Sequence, residues 1–192
     1  MTQYRDAQSE GKPMFFEEKT ISTERIYEGV ILNLRRDKVT IHSGGTSFRE
    51  IVEHNGGAVA VPITADGKIV MVRQYRKALE QAVLELPAGK IDKGEEPLQT
   101  IVRELQEETG YTAGNIEFLT AFYPSVGYTN EVLFIYIATD LTPGATNYDE
   151  HEAMDILEVE FEEAHNMVVG GQIQDAKTML GILLAKNHFE TA

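Results

Sequence analysis

The chain contains no cysteine, which removes disulfides, zinc–thiolate centres and thiol nucleophiles from consideration. It also lacks a hydrophobic run of membrane length. The longest apolar stretches, around residues 57–63 and 179–185, are far too short to cross a bilayer. Residues 1–13 are polar and mixed in charge, without the apolar segment of a secretory signal. Histidine is scarce and scattered: His42, His54, His151, His165 and His188 form no H-x-x-x-H pair or similar spacing. Solvated or hydrogen-bonded roles are therefore expected for them. Basic residues are outnumbered, 17 Lys and Arg against 31 Asp and Glu, for a formal net charge of −14. Such a chain repels polyphosphate backbones, which argues against a nucleic-acid partner. There is no internal repeat and no low-complexity segment. These absences leave a soluble cytoplasmic protein as the expectation, with no membrane attachment.

What remains is ordinary globular composition. The 192 residues are 42% hydrophobic, enough for a normal core in one domain with a modest extension. Short β-like runs at 15–22 and 25–29 precede a period-two stretch at 30–42, in which Val30, Leu32 and Leu34 share one face. The turn Ser43-Gly44-Gly45 leads into a partner strand at 46–54. A buried strand is expected at 57–65, a tight turn at Asp66-Gly67 with a strand at 68–75 on its far side, and another strand at 82–87. A helix follows, with Leu98, Ile101, Val102 and Leu105 as its buried stripe, Pro97 in its first turn and Gly110 as its stop. Strands are expected at 116–123, 131–139 and 154–161, a polar loop at 141–152, and helices at 162–170 and 174–188. The order predicts an α/β fold with a mixed sheet between helical layers. It divides into a tail at 1–13, an N-terminal antiparallel β extension at 14–55, and a main domain at 56–192.

The chemically informative stretch runs from Gly89 to Tyr111. Glu104 and Glu108 stack at i, i+4 on the helix, with Glu107 on the adjoining strip, all beside the buried stripe. Unpaired, these like charges oppose one another, and Arg103 alone does not neutralise three of them. On exposed helices E-x-x-E-E is most often a solvated face. A hard divalent cation offers a second reading, because carboxylate oxygens suit Mg²⁺ and a bound metal turns an acidic surface into a phosphate site.

The full spacing decides between these readings. Gly89, five residues, Glu95, seven residues, then Arg103-Glu104-Leu105-x-Glu107-Glu108-x-Gly110-Tyr111 resembles the Nudix signature G-x(5)-E-x(7)-R-E-U-x-E-E-x-G-U. The one soft departure is Tyr111, where an aliphatic residue is usual. The resemblance covers roughly residue 15 to the end and implies the Nudix α/β/α sandwich. It implies Glu104 and Glu108 as ligands of Mg²⁺, or of Mn²⁺ in its place, with the carbonyl of Ala88 added and Glu107 close by. It also implies a structural ion pair between Glu95 and Arg103.

The flanks resemble the ADP-ribose pyrophosphatase subfamily. The run from Phe48 to His54 is similar to its R-E-x-x-x-H segment, giving Arg49 and Glu50 as substrate contacts. Arg76 falls in its Q-x-R phosphate motif, Glu85-Leu86-Pro87-Ala88-Gly89 in its E-x-P-A-G motif, and Pro124 and Glu131 in its later positions. Asp175-Ala176-Lys177-Thr178 opens the last helix in the subfamily manner. Val30 stands where some relatives stack an aromatic side chain on the base, with Tyr27 nearby. In the loop at 141–152, Glu150 aligns with the general base and Glu152 with an auxiliary metal contact; Glu107 is the competing base. The resemblance further implies a homodimer that shares Arg49 across its interface. The implied activity is hydrolysis of ADP-ribose to AMP and ribose 5-phosphate. The alternatives are other nucleoside-diphosphate sugars, dinucleotides, or a non-catalytic ADP-ribose sensor.

Overall fold

A run of alternating small and branched residues, Gly57 to Pro62, organises the main body. This strand, β4 (Gly57–Pro62), is buried along its whole length. Because successive side chains of a strand point to opposite faces, its residues serve two cores. Ala58 and Ala60 pack with Ile101, Leu105, Tyr136 and Ala138. Val59 and Val61 pack with Leu86, Ile135, Ile137, Ala164, Ile182 and Ala185. One side of the sheet is therefore covered by α1 (Pro97–Thr109) and the other by α2 (Phe161–Val169) and α3 (Ala176–Thr191). That is the expected α/β/α arrangement. A computed structural model describes residues 16–147 and 153–191; the predicted site residues Glu150 and Glu152, and Asp149 beside them, lie outside the described residues.

The chain divides into two compact units between Val52 and Glu53. The first holds an antiparallel sheet of β1 (Thr20–Glu28), β2 (Asn33–Thr40) and β3 (Thr46–Glu53), in that order. Two short strands predicted at 15–22 and 25–29 are one strand here, with register shifts between Thr20 and Ser22 and between Arg25 and Tyr27. The period-two reading began too early: residues 29–32 form the connection, closed by the Gly29 N–H on the Leu32 carbonyl at 3.1 Å. Val30 sits in that connection, 91% exposed, so it shares no strand face with Leu34.

The second unit holds two sheets. One is mixed, in the order β7 (Ala88–Lys90), β4, β9 (Leu133–Pro143), β8 (Tyr111–Phe122), with β4 and β9 parallel. The other is antiparallel, in the order β10 (Met154–Glu160), β5 (Lys68–Arg76), β6 (Gln81–Glu85). The Asp66-Gly67 turn forms as expected, with the Gly67 N–H on the Thr64 carbonyl at 3.0 Å. The strands on its two sides nevertheless belong to different sheets, joined there by the bridge between Ile63 and Ile69 and by the Thr64 N–H on the Lys68 carbonyl at 2.9 Å.

Helix α1 departs from its predicted stripe in a way that matters for the site. Ile101 and Leu105 are buried, but Leu98 and Val102 are exposed. The remaining buried positions are Thr100, Glu108 and Thr109. The buried arc is thus turned toward Glu108 and away from Val102. The alanines of β4 allow the helix to lie close to the sheet, and its acidic edge faces the Ala88-Gly89 strand. Gly110 ends the helix in the left-handed region, φ 73°, with its N–H on the Gln106 carbonyl.

Candidate active site

Glycine at position 89 leaves room for the Glu104 side chain that lies over it. A β-carbon built there would stand 1.9 Å from Cδ of Glu104. One residue earlier, the Ala88 N–H donates to Oε2 of Glu108 at 3.0 Å. Helix α1 therefore brings two of its carboxylates against the backbone of β7, as the i, i+4 spacing anticipated.

Arg103 anchors the same face. Its Nε and Nη2 donate to the two carboxylate oxygens of Glu95, each at 3.1 Å. Its Nη1 donates to Glu104 at 2.7 Å and to Glu107 at 3.0 Å. The predicted pair of Glu95 and Arg103 is present, and the arginine also spans two further glutamates. Glu95 accepts in addition from Thr100 Oγ1 at 2.7 Å and from the Asp92 N–H at 3.2 Å. The Arg103 bonds, followed by these, hold the Glu95 carboxyl down at about 2. The same partners, Glu95 first, push the Arg103 guanidinium still higher than usual.

Beside this edge lies a cleft of about 390 Å³, lined among others by His54, Arg76, Ala88, Gly89, Glu131 and Lys177. Arg76, Ala88 and Glu131, predicted separately from flanking motifs, thus meet in one cavity. His54 Nδ1 and Glu131 Oε1 are 3.2 Å apart. Arg76 is held from below: its Nε and Nη2 donate to Glu85 at 2.7 and 2.9 Å. Glu85 also accepts from Lys177. Burial pushes the Glu85 carboxyl up, but the bonds from Arg76 and the charge of Lys177 outweigh it and hold the group below its usual range.

Glu85 and Lys177 stand in motifs that resemble the subfamily, but the sequence assigns neither an individual role. The available signal was Glu85 itself, a lone carboxylate in the apolar run Ala82 to Pro87, since a charge in a buried strand requires a partner.

Arg49, on β3, donates through Nε to Glu18 at 2.7 Å and through Nη1 to the Phe48 carbonyl at 2.9 Å. Glu50 is exposed on the same strand.

The residues at β7 fit a hard divalent cation in donor chemistry: two carboxylates lie against the strand that carries the Ala88 carbonyl. As placed, no three acidic or histidine side chains among the described residues converge into a finished metal cage. Of the three glutamates, Arg103 pairs with Glu104 and Glu107.

The NUDIX domain profile matches residues 54–179. The chain belongs to the Nudix family. That family generally uses a divalent metal. Among curated Nudix relatives, the chain is 44% identical to the methanol dehydrogenase activator of Bacillus methanolicus, over 87% of this chain and 91% of that one. It is 43% identical to the ADP-ribose pyrophosphatase of Bacillus subtilis, over 86% and 91%. The fold is shared with a solved ADP compounds hydrolase at a TM-score of 0.83 and 20% identity, covering 94% of this chain and 98% of that one.

Proposed function

We propose that this Nudix protein hydrolyses the diphosphate of ADP-ribose, giving AMP and ribose 5-phosphate, as a cytoplasmic homodimer with Mg²⁺, or Mn²⁺ in its place. The observation that carries the reading is the single cleft in which Arg76, Glu131 and the Ala88-Gly89 strand meet, beside the Glu104 and Glu108 carboxylates. Similarity to the Bacillus subtilis pyrophosphatase selects the substrate within the family.

Glu104, Glu108 and the Ala88 carbonyl would hold the cation, which supplies charge neutralisation and water activation when bound. Arg76, fixed by Glu85, presents positive charge to the diphosphate. Arg49 adds a second such charge from the partner protomer, with Glu50 beside it, and Val30 borders the base. Arg103 and Glu95 keep the helix and the preceding loop in one geometry. Glu150 takes the proton of the attacking water, and Glu152 assists the cation. Glu107 is the less suited base, because Arg103 already holds it at 3.0 Å.

Purified protein with Mg²⁺ and ADP-ribose, products read by chromatography, tests the reading. AMP and ribose 5-phosphate in equal amounts are expected. Cleavage of GDP-mannose or a dinucleotide in preference to ADP-ribose would overturn the substrate. The loop assignment is tested by kcat for Glu107→Gln against Glu150→Gln. Loss in the former with retention in the latter would move the base to α1. A second reading is favoured by the 44% identity to the Bacillus methanolicus activator: the chain also stimulates a partner dehydrogenase. Methanol oxidation by that organism's methanol dehydrogenase, with and without this protein, tests it.

A further inference from the structure

The wall of the cleft is built on a chain of ion pairs that begins at α3. Asp175, just before the helix, accepts at Oδ2 from the Thr178 N–H at 3.1 Å and from Thr178 Oγ1 at 2.6 Å. The same oxygen accepts from Lys177 Nζ at 2.9 Å. Lys177 reaches on to Oε2 of Glu85, the oxygen that also receives Arg76 Nη2. In parallel, Thr178 Oγ1 receives the Leu86 N–H at 2.8 Å, two residues before Ala88. One turn of α3 is thus tied to the phosphate-facing arginine and to the backbone leading into the Ala88-Gly89 strand.

Charge and burial point to a division of labour between the two cations. The Glu85 side chain is 3% exposed and that of Lys177 is 13%, whereas Arg76 is 43% exposed. Lys177 is committed to two carboxylates inside the wall. Arg76 spends Nε and Nη2 on Glu85 in a forked pair, which fixes the plane of its guanidinium. A carboxylate held by one forked cation can still turn together with it about its terminal torsion, which is broad. The second cation, approaching from α3, removes that freedom.

We propose that Lys177 is a positioning residue for diphosphate hydrolysis: acting through Glu85, it fixes the Arg76 guanidinium at the wall of the cleft. This rests on the function proposed above for its choice of substrate. Lys177 does not touch the diphosphate. Its removal leaves Glu85 with one cation and Asp175 with only the longer-range charge of Arg76, so Arg76 loses its set direction while the fold persists through the Thr178 bonds.

The test is a double-mutant cycle between Lys177→Met and Arg76→Ala, read as KM and kcat for ADP-ribose and, separately, as ADP affinity by calorimetry without metal. Lys177→Met should raise KM about tenfold with kcat within about threefold, and weaken ADP by a similar factor. In the Arg76→Ala background the same substitution should change either quantity less than about twofold. Lys177→Arg should restore most of the loss. A Lys177→Met effect that persists in full without Arg76 would overturn the proposal, since Lys177 would then contact phosphate itself. So would an unchanged KM and ADP affinity. If Lys177→Met does not fold, as judged by urea unfolding, Lys177→Gln takes its place in the cycle. Wild-type protein that leaves ADP-ribose intact would refute the substrate but not this proposal, which the ADP cycle reads independently.

Discussion

The acidic edge of α1 and the β1–β3 sheet are similarly rich in charge, yet they hold it differently. On α1, Glu108 is buried and its carboxylate is tied to the Ala88 backbone, while Arg103 joins three glutamates at once. On the N-terminal sheet, pairs such as Arg36–Glu24 and Arg49–Glu18 lie at the surface. There Ile21, Ile26, Tyr27, Val30 and Phe48 are also exposed. Exposed ion pairs contribute little and are screened by salt. Charges fixed against a packed backbone keep their geometry. The contrast teaches that the main unit holds its charges against packed backbone, whereas the N-terminal sheet keeps both charged and apolar side chains at its surface.

The largest expected effect comes from loosening the rigid side. Glu108→Gln should lower kcat about a hundredfold or more at saturating Mg²⁺ while leaving thermal unfolding of the metal-free protein nearly unchanged. Near wild-type turnover would remove Glu108 from the site. Next is Gly89→Ala. The added methyl meets the far end of the Glu104 side chain, which can swing away, so stability should fall little. Turnover should fall by about ten- to a hundredfold, because a displacement on the order of 1 Å misplaces the carboxylate.

The comparison is sharpened by Arg49→Ala, expected to raise KM for ADP-ribose about tenfold through loss of one charge-assisted bond. If the N-terminal sheet serves a partner protomer, mixing Arg49→Ala with Glu108→Gln subunits should rebuild one complete site and recover activity. Mixing without recovery, or a monomer by light scattering, would place Arg49 outside the partner's site. The smallest effect concerns pH. The Glu95 carboxyl is held down at about 2 from 4.5 by Arg103 and its other partners. Its contribution to stability is therefore full above about pH 4.5 and is lost as pH falls toward 2. Unfolding midpoints of wild type and Glu95→Gln should converge across that window, with the variant showing the flatter profile.

Much of the glutamate-rich motif is legible in the amino-acid sequence, because its constraints are local. The helical repeat puts Glu104 over Glu108, and Pro97 and Gly110 mark the ends of α1. Periodicity does not reveal which arc of the helix is buried. Leu98 and Val102 satisfy the apolar pattern yet lie exposed, since the direction of burial is set by where β7 and the alanines of β4 stand. The strand predicted from Val30 failed for a related reason. Alternation continues through a connection as readily as through a strand, and only pairing with β1 defines where β2 begins.

The sequence by itself determined most of the elements, the glutamate register and the family, since these follow from spacing along a chain of fixed geometry. Tertiary structure alone decided the pairing of β4 with β9, the turning of α1 toward Gly89, and the joining of Arg76, Glu85 and Lys177. Arg76 and Glu85 lie nine residues apart, and Glu85 and Lys177 ninety-two. Antiparallel pairing of β5 with β6 brings the first two into one sheet, whereas only packing of α3 onto the core brings Lys177 to them.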